Sequence, residues 1–206
     1  MDQAFHYYEP ANGHGLRHNP FNAIVGPRPI GWISTRSVEG VLNLAPYSFF
    51  NAFAYTPPII GFASTGAKDT LRNARQTGNF VWNLVTKPLA ARMNQTSATV
   101  PPSVSEFDLA GLTPIDSTLV AAPRVAESPV AFECKVTQIL QLTDHKGIEM
   151  PNWMVFGEVV AVHIAKHLIV DGVYDTAAAH PVLRAGGPDA YAEITPESMF
   201  SMIRPG

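Results

Sequence analysis

The chain has 206 residues, a length typical of one domain, so we treat residues 1–206 as a single domain that needs no disulfide to be stable. Its net charge of −3 argues against non-specific nucleic-acid binding, which requires a basic face. Only 15% of the residues are charged whereas 46% are hydrophobic. We therefore expect an apolar surface that is covered by a second copy of the chain or by a cofactor.

The cysteine content and the first residues indicate the compartment. Cys134 is the single cysteine, which excludes an intrachain disulfide and a cysteine-rich zinc site. The first residues lack the basic and apolar stretches of a signal peptide, so we expect a reducing, cytoplasmic location. Residues 41–67 carry no charge, but Pro46, Pro57 and Pro58 interrupt them. This pattern predicts buried strands and a tight loop, and it excludes a membrane-spanning helix.

The first part of the chain reads as an arm followed by strands. Residues 1–23 are polar and aperiodic, which predicts an irregular N-terminal arm. Residues 29–36 and 41–45 have strand composition on either side of a turn, which predicts a β-hairpin. Residues 46–51 indicate a loop or a single helical turn that opens with proline, and residues 59–64 predict the next strand.

Residues 68–78 carry the signals of a helix that Asp69 or Thr70 could cap and that Gly78 ends. The remaining elements are predicted as a strand at 79–86, a short helix at 88–97, strands at 130–136, 154–164 and 168–170, and an irregular tail after 175. Six or seven strands, two helices and 18 scattered prolines favour one closed or nearly closed antiparallel barrel.

Several common motifs are absent or incomplete. The sequence has neither the G-x-G-x-x-G fingerprint of dinucleotide-binding folds nor the G-x-S-x-G motif of α/β-hydrolases. Residues 61–70 resemble a nucleotide-binding P-loop, but Lys68 is displaced by one position and Asp69 replaces the magnesium-binding hydroxyl. His163 and His167 have the spacing of metal ligands on a helix, but they follow a strand pattern, so we predict no metal site.

The same segment still has the chemistry to bind a phosphate. Ser64 and Thr65 leave a strand with free hydroxyls, and Lys68 lies where a helix begins with unpaired N–H groups. Arg72 and Arg75 follow one and two turns later. An ordinary capped surface helix would show the same residues, so this pattern alone leaves both interpretations open.

Residues 43–51 mix planar apolar groups with amide and hydroxyl groups. A flat heteroaromatic ring with a polar edge requires such a mixture, because one face is stacked and one edge is hydrogen-bonded. We assign Phe49, Phe50 and Phe53 of this region to a corner of the core instead.

Residues 27–36, 39–40 and 43–51 closely resemble the flavin reductase-like, FMN-binding split-barrel family. The resemblance continues, in order, through residues 57–58, 68–70, 78–83 and 180–187, followed by Tyr191. It implies a mainly β fold with short helices, a six-stranded antiparallel Greek-key split β-barrel, a homodimer, and FMN bound near the subunit interface. The C-terminal tail, residues 176–206, is then expected at that interface.

Carried over by position, the resemblance assigns three groups of cofactor-binding residues. Those near the ribityl chain or phosphate are Ser34, Thr35 and Arg36; those along the isoalloxazine ring are Asn43, Ala45, Pro46, Tyr47 and Ser48; those that hold the phosphate are Ser64, Lys68, Asp69 and Thr70. Asp69 fits a helix cap better than a direct ligand.

The resemblance also implies the chemistry. NADH or NADPH would pass a hydride to flavin N5, and backbone N–H groups of residues 45–48 or Arg36 would stabilise charge near N1 and O2. His180, Arg184 and Tyr191 are candidates for closing the site from the partner subunit, with plain interface structure as the alternative. We expect an NAD(P)H:flavin reductase, which could supply a separate monooxygenase. The alternatives are an FMN enzyme acting directly on an organic substrate, an FMN electron carrier, and a relative that has lost flavin.

Overall fold

The computed structural model describes residues 4–206, and most of its regular structure is β. The helices are α1 (Phe21–Ile24), α2 (Asp69–Thr77), α3 (Ala90–Gln95) and α4 (Glu106–Leu109), with single 3-10 turns at Pro10–Asn12, Lys87–Leu89, Lys166–Leu168 and Pro196–Ser198. The strands are β1 (Arg28–Pro29), β2 (Gly31–Arg36), β3 (Leu42–Tyr47), β4 (Phe50–Tyr55), β5 (Pro58–Thr65), β6 (Asn79–Asn83), β7 (Pro114–Ile115), β8 (Arg124–Val125), β9 (Val130–Thr143), β10 (Glu149–Ile164), β11 (Ile169–Val170), β12 (Val173–Tyr174), β13 (Val182–Arg184) and β14 (Tyr191–Glu193).

Seven strands form one antiparallel sheet in the order β3-β2-β6-β9-β10-β5-β4. The resemblance implies six strands, whereas this sheet has seven. Strand β4 was not predicted; it contains Phe50 and Asn51 of the predicted loop 46–51 and the four residues that follow. Within residues 4–206 the outer strands β3 and β4 are not paired with each other, so the sheet is open. The six-stranded Greek-key detail is therefore not confirmed, whereas the mainly β fold with short helices is.

The predicted N-terminal hairpin is confirmed. Strands β2 and β3 pair with Ile33 opposite Ala45, and the turn between them closes with a hydrogen bond of 3.0 Å from the Gly40 N–H to the Ser37 carbonyl. Gly40 has φ +91°, a conformation that residues with a Cβ rarely adopt. The glycine therefore sets the register of the hairpin and with it the position of β3.

The prediction that residues 41–67 are buried is wrong for β4. Phe53 is 54% exposed and Tyr55 is 94% exposed. As an outer strand, β4 pairs within residues 4–206 with β5 alone. Phe49, which we assigned to the core with Phe53, is also exposed, whereas Phe50 stacks on Trp82 with ring centroids 5.7 Å apart. No helix within residues 4–206 is long and apolar enough to cross a membrane.

Helix α2 ends as predicted, with Gly78 in the left-handed conformation at φ +69°. Its beginning differs from the prediction, because the preceding residue is Lys68 and no side chain among the described residues caps the helix there. Asp69 is the first helical residue, and its carboxylate pairs with Arg72 instead of capping.

The second half contains longer strands than predicted. Strands β9 and β10 have 14 and 16 residues and meet at a turn where the Asp144 carboxylate accepts the N–H groups of Lys146 and Ile148. The tail after residue 175, predicted as irregular, contributes β13 and β14 to a small sheet with β1. Strands of three residues are too short to show an alternating pattern, so the sequence gives little sign of them.

The core lies on both sides of the sheet near β3. Phe62, Leu71 and Phe80 belong to one buried cluster, and Trp32 and Phe107 belong to another. Helices α2, α3 and α4 all pack against β3. Because β3 is also an outer strand, these helices define a recess along its unpaired edge.

Candidate functional site

A cavity of about 310 Å³ lies where β3, the start of α2 and the segment after α3 meet. Its lining is Asn43, Ala45, Pro46, Tyr47, Lys68, Asp69, Thr70, Thr96, Ser97, Ala98, Thr99, Val100 and Glu106. The first seven of these residues are among those predicted to bind the cofactor. The cavity thus joins the predicted ring-binding strand to the predicted phosphate-binding helix.

A buried hydrogen-bond network fixes the wall between these two parts. The Asn43 amide donates to Thr70 Oγ1 at 2.8 Å and to Thr35 Oγ1 at 3.3 Å, and the Asn73 amide donates to Thr35 Oγ1 at 3.1 Å. Thr35 is completely buried and supports the wall without lining the cavity. Because the Thr70 oxygen accepts a bond from Asn43, the Thr70 hydroxyl hydrogen is left for Tyr47 or for a ligand.

Tyr47 lies at the floor of the cavity as a neutral phenol. Burial raises the pKa of Tyr47 to about 12, while the Thr70 and Ser64 hydroxyls beside it act in the opposite direction. The phenol therefore keeps its proton at neutral pH and can both donate and accept a hydrogen bond.

The beginning of α2 fits a phosphate group. The helix has nine residues, and its first N–H groups have no partners within the helix and no side-chain cap among the described residues. Lys68 is exposed and lines the cavity beside them. A helix start, an ammonium group and the Thr70 hydroxyl together form a donor set that favours a phosphate dianion.

Glu106 is a cavity residue that the sequence analysis missed. It is 6% exposed, and its Oε2 accepts the Leu44 N–H at 2.9 Å. Burial raises the pKa of Glu106 above its ordinary value, and the nearby charge of Asp69 raises it further. Residues 96–100 were also missed. Their hydroxyl-rich, uncharged composition was the available signal, but it does not reveal which strand the segment covers.

The substitution Glu106→Gln is expected to raise the free energy of unfolding relative to wild type, and to do so more at high pH than at low pH. The folded pKa lies above the ordinary value of 4.5, so stability that is complete below 4.5 is lost as the pH rises through the folded pKa. Glutamine keeps an acceptor for Leu44 without the charge. Urea unfolding at about pH 4 and about pH 8 measures this; an equal difference from wild type at both pH values would contradict it.

Ser34 and Arg36 lie outside the cavity and hold a neighbouring segment, residues 116–125, which we call the 116–125 strap. Ser34 is completely buried and donates its hydroxyl to the Pro123 carbonyl. Arg36 Nε donates to the Ala121 carbonyl at 2.9 Å, and its guanidinium lies 3.6 Å from the Asp116 carboxylate. In this structure both side chains are engaged by the protein, so their predicted contact with FMN stays a prediction.

Ser48 and Ser64 flank the cavity without lining it. The Ser48 carbonyl accepts a hydrogen bond from Arg28 Nε at 3.0 Å. Ser64 is completely buried, and its hydroxyl donates to the Gly66 carbonyl at 3.0 Å. These bonds fix the two turns that border the cavity.

His180, Arg184 and Tyr191 cluster around the small sheet and do not line the cavity of their own protomer. His180 Nδ1 lies 2.9 Å from the Glu193 carboxylate. The Arg184 guanidinium lies 5.0 Å from the centre of the Tyr191 ring and donates to nearby carbonyls. Their role across a subunit interface remains a prediction.

The two histidines with metal-ligand spacing lie on different elements and not on one helix face. His163 lies in β10 and pairs with Glu133 at 2.6 Å, whereas His167 lies in a 3-10 turn. No cluster of three metal-ligating side chains occurs among residues 4–206. Cys134 is buried, and burial raises the pKa of its thiol.

Three solved structures resemble the chain over most of its length. Nitrilotriacetate monooxygenase component B from Bacillus cereus is 31% identical, with a TM-score of 0.86 and coverage of 98% of this chain and 100% of that chain. The 2-nitrobenzoate 2-nitroreductase of Pseudomonas fluorescens is 32% identical, with a TM-score of 0.78 and coverage of 90% and 88%. A protein with a split barrel domain from Shewanella frigidimarina is 27% identical, with a TM-score of 0.76 and coverage of 90% and 89%.

The part of the chain that matches a known family includes the residues on both sides of the cavity. The model of the flavin reductase like domain matches residues 26–180, which include β3, α2 and Glu106. This match agrees with the solved structures in fold and with the order of the sequence motifs. The chain is therefore a member of the flavin reductase like domain family.

Proposed function

We propose that the protein is an NAD(P)H:flavin reductase that binds FMN in the cavity beside β3. The observation that carries this proposal is the joining, in one cavity, of residues 43–47 with Lys68 and Thr70 at an uncapped helix start. A flavin mononucleotide has a planar ring at one end and a phosphate at the other, which matches these two parts.

In this proposal the protein binds and orients FMN and forms no covalent bond with it. Lys68, the Thr70 hydroxyl and the first N–H groups of α2 would hold the phosphate, and the backbone of residues 45–47 would line the ring. Bound FMN supplies a ring that accepts a hydride from NADH or NADPH. Tyr47 keeps its proton at neutral pH, so it would add no charge to the cavity that holds the flavin.

We also propose that a second copy covers β4. Phe53 and Tyr55 of β4 are apolar and exposed in the protomer, as the low charged fraction of the chain leads us to expect. In a homodimer with FMN near the interface, His180, Arg184 and Tyr191 would close the cavity of the partner subunit.

Two of the similar solved proteins suggest what could accept the electrons of the reduced flavin. The Bacillus cereus protein is a component of a monooxygenase, which supports delivery of reduced flavin to a separate oxygenase. A second candidate is direct reduction of an organic substrate, since the Pseudomonas fluorescens relative is a nitroreductase. An apolar cavity of about 300 Å³ lined by Phe50, Trp82 and Phe132 could accept such a substrate.

The deciding experiment is a visible spectrum of the purified protein with FMN, followed by anaerobic addition of NADH or NADPH. Rapid bleaching of the flavin bands is expected for the reductase. Bound FMN that stays oxidised would overturn the reductase and favour an electron carrier. Failure to bind FMN at all would overturn the flavin proposal. If bleaching occurs, a nitroaromatic compound that reoxidises the flavin without oxygen would favour the second candidate.

A further inference from the structure

We infer that Arg72 is a positioning residue that gives the cavity its preference for a phosphorylated flavin, because it neutralises Asp69. This inference rests on the proposed function. It assigns a role to a side chain outside the cavity lining, and it makes a prediction that distinguishes FMN from riboflavin.

The ion pair is close and is built into the first turn of α2. Arg72 Nη1 lies 2.6 Å from Asp69 Oδ1, and the two residues are three positions apart on the helix. The Asp69 side chain is 24% exposed and the Arg72 side chain is 42% exposed. The helix thus presents Asp69 to the cavity and places Arg72 one turn further on, where it holds the carboxylate.

The charges of the cavity show why this pair matters. Lys68 is the one cationic side chain in the lining described, whereas Asp69 and Glu106 are both acidic. With both carboxylates ionised, the lining would carry a net negative charge and repel a phosphate dianion. Arg72 cancels the charge of Asp69, the carboxylate adjacent to Lys68, and so leaves Lys68 and the helix start to attract the phosphate.

Arg72 acts through Asp69 in this account, so the two residues must be coupled. Removing Arg72 alone exposes the charge of Asp69 to the phosphate. Removing both leaves no charge to neutralise. Riboflavin has the same ring and ribityl chain as FMN but lacks the phosphate, so its binding should depend little on either residue.

The test compares the Kd of FMN and of riboflavin, measured by quenching of flavin fluorescence, for wild type, Arg72→Gln, Asp69→Asn and the double variant. Arg72→Gln should weaken FMN binding about tenfold, as expected for one uncompensated charge close to the ligand, and change riboflavin binding less than about twofold. The double variant should bind FMN within about threefold of wild type. Arg75→Gln is the matched control, because Arg75 lies on the same helix and stacks on Trp153 at 4.5 Å.

Each other outcome overturns the inference in a recognisable way. Equal weakening of both flavins by Arg72→Gln would show a structural role. A double variant as weak as Arg72→Gln would make Arg72 a direct phosphate ligand. Wild-type protein that binds riboflavin as tightly as FMN would show that the cavity has no phosphate preference. Wild-type protein that binds neither flavin would overturn the proposed function itself.

Discussion

Replacement of Glu133 by leucine is expected to lower the free energy of unfolding by about 3–5 kcal/mol. Glu133 is completely buried on β9, and its carboxylate accepts the N–H groups of Thr118 at 2.7 Å and Leu119 at 2.6 Å. The same carboxylate pairs with His163 at 2.6 Å. Leucine would remove, in one change, the acceptor of both N–H groups and the partner of His163, and the loss of a hydrogen-bond network around a buried carboxylate is among the most destabilising kinds of substitution.

Urea or guanidinium unfolding at neutral pH measures this loss, with Glu127→Leu as the control. Glu127 also accepts a backbone N–H, that of Thr113 at 3.1 Å, but its side chain is 27% exposed. Water can replace the lost acceptor there, so a cost below about 1 kcal/mol is expected. A Glu133→Leu variant no less stable than Glu127→Leu would show that the 116–125 strap has other sufficient anchors.

The effect of Glu133 should also depend on pH with a defined sign. Burial by itself raises the pKa of the Glu133 carboxyl, but the two N–H donors and His163 together hold the pKa below its ordinary value of 4.5. The stability that the carboxylate contributes is therefore complete above pH 4.5 and is lost as the pH falls through the folded pKa. The deficit of Glu133→Leu should shrink in that acidic range.

This anchor also explains a difference between the sequence analysis and the structure. Ser34 and Arg36 hold the same strap that Glu133 anchors. A serine and an arginine at the end of a strand can donate hydrogen bonds to a phosphate as well as to backbone carbonyl groups. The sequence shows the residue types but does not show that residues 116–125 fold over them.

Local signals explain most of what could be predicted. The β2–β3 hairpin and the end of α2 are determined by residues close together in the sequence. Gly40 and Gly78 adopt positive φ angles there, and a glycine in the sequence indicates where such an angle is tolerated. Glu106 could not be found in this way, because its bond to Leu44 joins positions 62 residues apart. The exposure of β4 could not be predicted either, since an apolar outer strand and a buried strand have the same composition.

The substitution Lys68→Gln is expected to raise the Kd of FMN roughly ten- to a hundredfold, as for loss of one charge-assisted hydrogen bond of about 1.5–3 kcal/mol. Lys68 is the residue that precedes α2, and it lines the cavity beside the first N–H groups of the helix. Because glutamine cannot supply a charge, the phosphate would retain only the helix start and Thr70. Riboflavin binding should change less than about twofold.

Fluorescence titration with both flavins measures this difference, and two further variants make it specific. Lys68→Arg keeps the charge and should recover most of the affinity for FMN. Lys146→Gln removes an exposed lysine from the turn between β9 and β10 that does not line the cavity, so it should leave both Kd values unchanged. Equal weakening of FMN and riboflavin by Lys68→Gln would place Lys68 against the ring rather than the phosphate. That result would reverse the orientation of FMN in the cavity and would remove the reason for Arg72 to neutralise Asp69.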